Sequence, residues 1–271
     1  MFLSCMEAKK RLRLYAVKTK TITVNDNLTE VILEALKKQD LQLEDNDVLA
    51  LASKIVSYAE GRLIKLSEIK PSGKAKELAT QYSLKPEFVQ LILREAEKIY
   101  GGVEKAVLTL KNSVLTANAG IDNKNVPEDY VVLWPSEPEK SAKRIKEEIR
   151  RKTGRRVAVL IVDSGLMPLR IGTVGLALAV AGFKPIRDHR GKRDIYGKPI
   201  MITRHAVADD LACSAHLLMG EATEKTPVVL IKDAPVDFDE GIYGSKDLMI
   251  PFNECLFMST FLRSLHGSEQ A

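Results

Sequence analysis

Apolar residues along this chain recur in two rhythms, and the rhythms divide it into alternating strands and helices. Val48 to Ala52, Val157 to Val162 and Val228 to Ile231 are continuous apolar runs, the pattern of strands covered on both faces. Leu14 to Val17 reads as a further strand. Val107 to Thr116 alternates instead and can turn back at Lys111-Asn112. Helical spacing fills the intervals. Asn27 suits an N-cap, with Glu30 three residues on as its capping-box partner, for a helix to about Lys38. Pro86 opens a helix in which Phe88, Leu91, Ile92 and Glu95 share a face, and Gly101 can close it. A basic helix runs from about Pro138 to Lys152 and stops at Gly154. Ala206 to Met219 is amphipathic, with Gly220 as its stop. Together these elements predict a mixed α/β (α+β) fold. Met1 to Arg13 reads as a frayed start, followed by a single unit over residues 14–265 with two lobes and a boundary near Pro135 to Pro138.

Composition narrows the class. The chain has 271 residues, 45% hydrophobic and 28% charged, ordinary values for a globular protein. Its net charge of +5 is too small to imply nucleic acid and is compatible with an anionic small-molecule substrate. Aromatic residues are dispersed, which also argues against an RNA-binding surface. In the basic helix Glu147 and Glu148 are interspersed, so its cations read as a solvated face. Cys5, Cys213 and Cys255 have no paired or metal-type spacing and read as reduced thiols. The start lacks the apolar core of a signal peptide, and the longest apolar stretch, Ile171 to Phe183, is too short to span a bilayer. The expectation is a soluble, cytoplasmic protein with no membrane or nucleic-acid partner.

The candidate chemistry sits where strands end. Asn118-Ala119-Gly120-Ile121-Asp122 and Val162-Asp163-Ser164 each follow a predicted strand and put a carboxylate just beyond it. Two such carboxylates, with the Ser164 hydroxyl beside one, suit a hard divalent cation such as Mg²⁺ or Mn²⁺. The same spacing also suits two turn-capping aspartates. Three other segments carry chemistry. Ser53 to Arg62 places small polar residues after a buried strand, where backbone N–H groups can meet phosphate and Lys54 or Arg62 can add charge; taken alone, it reads first as an ordinary strand-to-loop transition. Gly191 to Gly197 combines two cations, a carboxylate and a ring, as suits either a loop gripping a flat anionic ligand or a surface turn. Gly220 to Pro227 joins a helix end to a strand. The four histidines lack zinc spacing; His216 reads as packed, and Cys213 as core. Gly172, Gly175 and Gly182 form no dinucleotide fingerprint and read as sites of close packing.

Taken in order, these motifs resemble the coenzyme F420-0:L-glutamate ligase family, the γ-glutamyl ligases. The resemblance covers about Val17 to Ile231. It is carried by Ser-x-x-x-Ser-x-Ala-Glu-Gly-Arg at 53–62, Asn-Ala-Gly-Ile-Asp at 118–122 with Asn125, and Asp163-Ser164. Gly-x-x-Gly at 172–175, Asp-x-Tyr-Gly at 194–197 and Leu218-Met219-Gly220-Glu221 complete it. The resemblance implies a GTP-dependent enzyme that adds L-glutamate to a coenzyme carboxylate through the glutamate α-amine, by way of an acyl phosphate. It implies a mixed α/β fold distinct from ATP-grasp, and an intertwined homodimer. It implies two divalent cations, Mn or Mg, and admits a monovalent one. The metal ligands fall at Asp122, Asp163, Ser164 and Glu221, and nucleotide contacts at Thr19, Lys20, Thr21, Ile22, Ser53, Lys54, Asn125, Gly220, Glu221 and the rest of the 220–227 loop.

Two departures bear on the acceptor. The family phrase Thr-Asn-Gly-Arg is Ser164-Gly165-Leu166-Met167 here, which keeps a hydroxyl and removes a cation. Arg170 is the candidate replacement, and with Lys192 and Arg193 a candidate for gripping carboxylates. A lysine common before Ala-Glu-Gly-Arg is Tyr58 here. The acceptor is therefore F420-0 or, in a divergent subgroup, a folate. A non-catalytic nucleotide- or coenzyme-binding homologue is the remaining alternative. The expected catalytic set is Asp122, Asp163 and Arg170.

Overall fold

The continuous apolar runs lie at the centre of one mixed sheet because both of its faces are covered. The computed structural model describes residues 11–24 and 26–267. Among them the main sheet has six strands, in the order Arg13–Val17, Val228–Lys232, Val48–Ala52, Ala158–Leu166, Thr173–Phe183 and Phe238–Gly244. Val48–Ala52 and Ala158–Leu166 run parallel and every other neighbouring pair is antiparallel. Alternate side chains serve opposite cores, following the two-residue period of a strand. Leu49, Leu51, Val159, Ile161 and Leu230 pack under the helices Leu28–Lys38 and Pro138–Thr153. Val48, Ala50, Leu160, Val162 and Ile231 face the helix Val207–Met219. That helix lies so close to the Thr173–Phe183 strand that a Cβ at Gly175 would sit 2.2 Å from the Ala212 carbonyl oxygen, as the close-packing expectation requires. Among the described residues no helix is long and apolar enough to cross a membrane.

A second core occupies the interval from Leu66 to Leu133. There the meander Lys98–Val103, Ala106–Lys111 and Val114–Ala117 packs against the helices Gly73–Tyr82 and Pro86–Glu95. Leu133 still belongs to this core and Trp134 already belongs to the main one, just ahead of the Pro135 to Pro138 stretch. Where the two meet, Glu95 accepts from the Arg62 guanidinium at 3.0 Å and from the almost fully buried Lys111 ammonium. Burial pushes the Lys111 pKa down. Arg62 also donates from Nε to the Trp134 carbonyl at 3.1 Å.

Several boundaries differ from the sequence expectation. The Pro86–Glu95 helix closes at Ala96, not at Gly101, because Ile99 and Tyr100 are drawn into a strand. Gly101, with φ 136°, sits there at a register shift. The hairpin turns at Asn112-Ser113, one residue later than expected, where φ of 47° and 65° gives the mirror-image turn that matches strand twist. Asn27 caps its helix through the Glu30 amide, but the Glu30 carboxylate pairs with Lys152 at 2.8 Å instead of closing a capping box. The helix Gly73–Tyr82 was not expected; Ser72 caps it. Of the expected frayed start, residues 1–10 lie outside the described residues, and a strand begins at Arg13.

Candidate active site

Five segments of the chain meet around one cavity of about 770 Å³. The first, residues 19–24, follows the edge strand. The second starts at Ser53, where the central strand passes directly into the helix Ser53–Ala59. This replaces the strand-to-loop transition: after the polar pair Ser53-Lys54, Ile55 and Val56 return to the core and anchor a helix there. The third segment is Asp122 to Pro127. The fourth is Asp163-Ser164, within the strand Ala158–Leu166. That strand pairs with Val48–Ala52 only through Val162, so beyond this point its edge opens on the cavity. The fifth joins Met219 to Pro227, between helix and strand.

Every expected nucleotide or metal residue lines this space: Thr19, Lys20, Thr21, Ile22, Ser53, Lys54, Asp122, Asn125, Asp163, Ser164, Gly220 and Glu221. Arg170 does not. It lies with the exposed Met167, Leu169 and Ile171 between the strands Ala158–Leu166 and Thr173–Phe183, beyond the cavity lining, because the hairpin carries its tip outward. Lys192 and Arg193 are also elsewhere. They belong to an excursion between two short paired strands, Arg187–Asp188 and Arg204–His205, and Arg193 donates to the Gly197 carbonyl at 2.6 Å. Cys213, expected in the core, is exposed, and its thiol donates to the Gly175 carbonyl at 3.1 Å.

Each carboxylate on the wall has a defined partner. Asp122 Oδ2 meets the Lys54 ammonium at 2.7 Å, and Lys54 also donates to the Lys124 carbonyl at 2.8 Å. Asp163 Oδ1 accepts from the Ser164 amide at 2.8 Å, and its Oδ2 accepts from the indole N–H of Trp134. Burial, with Asp122 nearby adding to it, lifts the Asp163 pKa from 3.8 to about 6 against those two donors. Glu221 Oε1 accepts from Thr173 Oγ1 at 2.6 Å and from His216 Nε2 at 3.0 Å. Burial pushes Glu221 up, yet the Thr173 and His216 hydrogen bonds outweigh it and hold the carboxyl below its ordinary value. His216 is largely buried, as expected of a packed residue, and it also borders the cavity and holds Glu221. Its place near the helix end that delivers Gly220-Glu221 was the signal. Among the described residues, no three acidic, histidine or cysteine side chains close into a group of metal-binding size.

Hydrogen bonds to backbone carbonyls tie the cavity segments together. Asn125 Nδ2 donates to the Ala222 carbonyl at 2.8 Å, and the Thr19 amide donates to the Lys225 carbonyl at 3.3 Å. Lys54 and Tyr58 lie one helical turn apart and both line the space. Burial, then the Asp122 charge, pushes the Tyr58 phenol pKa up. Glu60 and Arg62, at the end of the 53–62 phrase, are not among the residues lining the cavity. Glu60 accepts from Ser141 Oγ and Arg144, and Arg62 holds Trp134.

Asp122 is delivered by an unusual turn. Asn118, Ala119 and Gly120 all have positive φ, of 54°, 54° and 69°. Asp122 is then fixed by paired backbone hydrogen bonds to Val132, at 3.0 and 2.8 Å. A Cβ at Gly120 would meet the Trp134 indole at 2.2 Å. Gly120→Ala is therefore expected to lower unfolding free energy by about 2–4 kcal/mol, from strain at positive φ and overpacking together. Urea unfolding of the variant checks this, and a change within error of zero contradicts the packing described.

A family profile described as F420-0:gamma-glutamyl ligase matches residues 16–233. A protein of Methanothermobacter thermautotrophicus called coenzyme F420:L-glutamate ligase is 39% identical over 231 residues, 85% of this chain and 92% of its own. Proteins of the same name from Methanopyrus kandleri and Methanocaldococcus jannaschii are 41% and 38% identical, over 76% and 85% of this chain and 81% and 90% of their own.

Proposed function

Because the chain belongs to the F420-0:gamma-glutamyl ligase family, we propose that it joins L-glutamate to the carboxylate of F420-0, with GTP as co-substrate. The observation that carries the reading is the cavity itself. Residues scattered from Thr19 to Glu221 in sequence, each marked beforehand by the resemblance, converge on one wall.

The chemistry follows from the reactants. A carboxylate does not acylate an amine at neutral pH, so the acceptor carboxylate first takes the γ-phosphoryl group of GTP. This forms an acyl phosphate and releases GDP. The glutamate α-amine then attacks the acyl carbon, the C–O bond to phosphate breaks, and the amine proton leaves to solvent. The segments at 19–22 and 220–227 hold the nucleotide, with Ser53, Lys54 and Asn125. Asp122, Asp163, Ser164 and Glu221 would hold two divalent cations, Mn or Mg. When bound, such cations supply neutralisation of the triphosphate and of the transferring phosphoryl group. The donor set fits: it is all oxygen, as hard cations require. The Lys54 ammonium already stands against Asp122, and burial disfavours the charge on Asp163, a cost that a bound cation would offset.

The folate reading is second, and Tyr58 favours it. A neutral ring stands on the cavity wall where the resemblance leads one to expect a lysine. Met167 lies outside the cavity lining, so the folate reading rests on Tyr58. A homodimer and a cytoplasmic location complete the proposal. The exposed Ile195, Tyr196, Met201 and Ile202 of the 187–205 excursion are suited to burial against a second copy, which light scattering of the eluted protein tests. The reaction is tested by supplying GTP, Mn²⁺, glutamate and either F420-0 or folates, and identifying the nucleotide products. GDP and phosphate are expected. AMP and pyrophosphate would mean the carboxylate is adenylated, and the acyl phosphate would be wrong.

A further inference from the structure

We propose that Trp134 is a positioning residue that sets Asp122 and Asp163 relative to one another, an inference that rests on reading the two carboxylates as cation ligands. The indole is 2% exposed and touches both delivery systems. Its N–H donates to Asp163 Oδ2, while the Ser164 amide takes Oδ1 at 2.8 Å, so each carboxylate oxygen has one donor and the carboxylate plane is fixed. The backbone of the 118–120 turn rests directly on the same ring. A Cβ on Gly120 would lie 2.2 Å from indole Cε2 and 2.5 Å from Nε1. Asp122 follows that turn and is pinned through its backbone to Val132, close in sequence to Trp134. The Trp134 carbonyl is in turn held by Arg62 Nε at 3.1 Å. One rigid ring thus fixes the orientation of one carboxylate by a hydrogen bond and the height of the other by contact.

A buried indole N–H needs an acceptor in any case. A merely structural role would be filled by an isostere of the same shape, whereas a positioning role needs the N–H. Trp134 is the only tryptophan in the chain, so global replacement of tryptophan alters this residue alone, and indole emission reports on it alone. Benzothienylalanine puts sulfur in place of the N–H and keeps the bicyclic shape; fluorotryptophan keeps the N–H; Trp134→Phe removes both the N–H and bulk. Mn²⁺ binding to each full-length protein is read by electron paramagnetic resonance of the free ion, with thermal unfolding in parallel. In the wild type, Mn²⁺ should quench indole emission, and Asp163→Asn should weaken that response.

The expected result is wild-type affinity in the fluorotryptophan protein. The benzothienylalanine and Trp134→Phe proteins should lose about 10- to 100-fold, the loss typical of removing a hydrogen-bond partner of a metal ligand. A folded benzothienylalanine protein that binds Mn²⁺ as tightly as the wild type overturns the positioning role while leaving the cation reading intact. Mn²⁺ binding that is absent from the wild type, or indifferent to Asp163→Asn, overturns the cation reading and this inference with it. Should Trp134→Phe fail to fold, the benzothienylalanine protein decides.

Discussion

Asp122→Asn and Asp163→Asn are each expected to reduce turnover by roughly a thousandfold or more, equivalent to about 4 kcal/mol of lost transition-state stabilisation, with the chain still folded. Both side chains sit at the cavity wall, so neither change opens a hole in a core. Asp163→Asn carries a second signature, in stability. Burial raises its folded pKa from 3.8 to about 6, so the metal-free folded chain binds this proton more tightly than the unfolded chain does. Stability then falls as pH rises from about 4 to about 6, and the full cost is present above that window. Asp163→Asn removes this part of the pH dependence. Thermal unfolding in chelator, at a series of pH values, checks it. Identical slopes in wild type and variant would contradict the environment described for Asp163, and near-normal turnover in both variants would remove the two residues from the site.

Glu95→Ala is expected to be the most destabilising single change outside the main core, at about 3–5 kcal/mol. Glu95 stands between Arg62 and Lys111, and Lys111 has a side-chain exposure of 6%. Removing the carboxylate leaves an ammonium group buried without its counter-charge, and burial already disfavours that charge. It also frees Arg62, which holds the Trp134 carbonyl, so the loss is expected to reach the cavity wall. Glu95→Gln, which keeps the hydrogen bonds but not the charge, should cost less. Urea unfolding of both variants orders them, and a loss under about 1 kcal/mol for Glu95→Ala would show that the triad is screened by water.

The central sheet was readable because strands covered on both faces need unbroken apolar runs, and Val48 to Ala52, Val157 to Val162 and Val228 to Ile231 have them. The helix Gly73–Tyr82 was not, because its fully buried residues are the small or polar-tipped Ala75, Ala79 and Tyr82, with Leu78 only partly buried beside them. The helix Ser53–Ala59 was hidden for another reason: it starts directly where the strand before it ends, with only the polar pair Ser53-Lys54 between their apolar residues. At the site, Asp122 follows a strand and its turn, as the sequence reading expects, whereas Asp163 stands within the strand Ala158–Leu166 and not beyond its end, because pairing with Thr173–Phe183 carries the strand on past the apolar run. Glu221 follows a helix cap and needed the family resemblance to stand out. Trp134 gave no signal at all, since its partner Asp163 lies far along the chain and only the fold brings the two together. Arg170, Lys192 and Arg193 looked suitable by charge, but charge alone does not tell an outward hairpin tip from a cavity wall.

The most direct measurement is mass spectrometry of F420-0 after incubation with this protein, GTP, Mn²⁺ and L-glutamate, beside the same reaction with the Asp122→Asn protein. The account predicts F420-0 carrying an added glutamyl residue in the first and almost none in the second. It is contradicted if F420-0 gains no glutamate under saturating GTP, or if the Asp122→Asn protein forms the product as fast as the wild type.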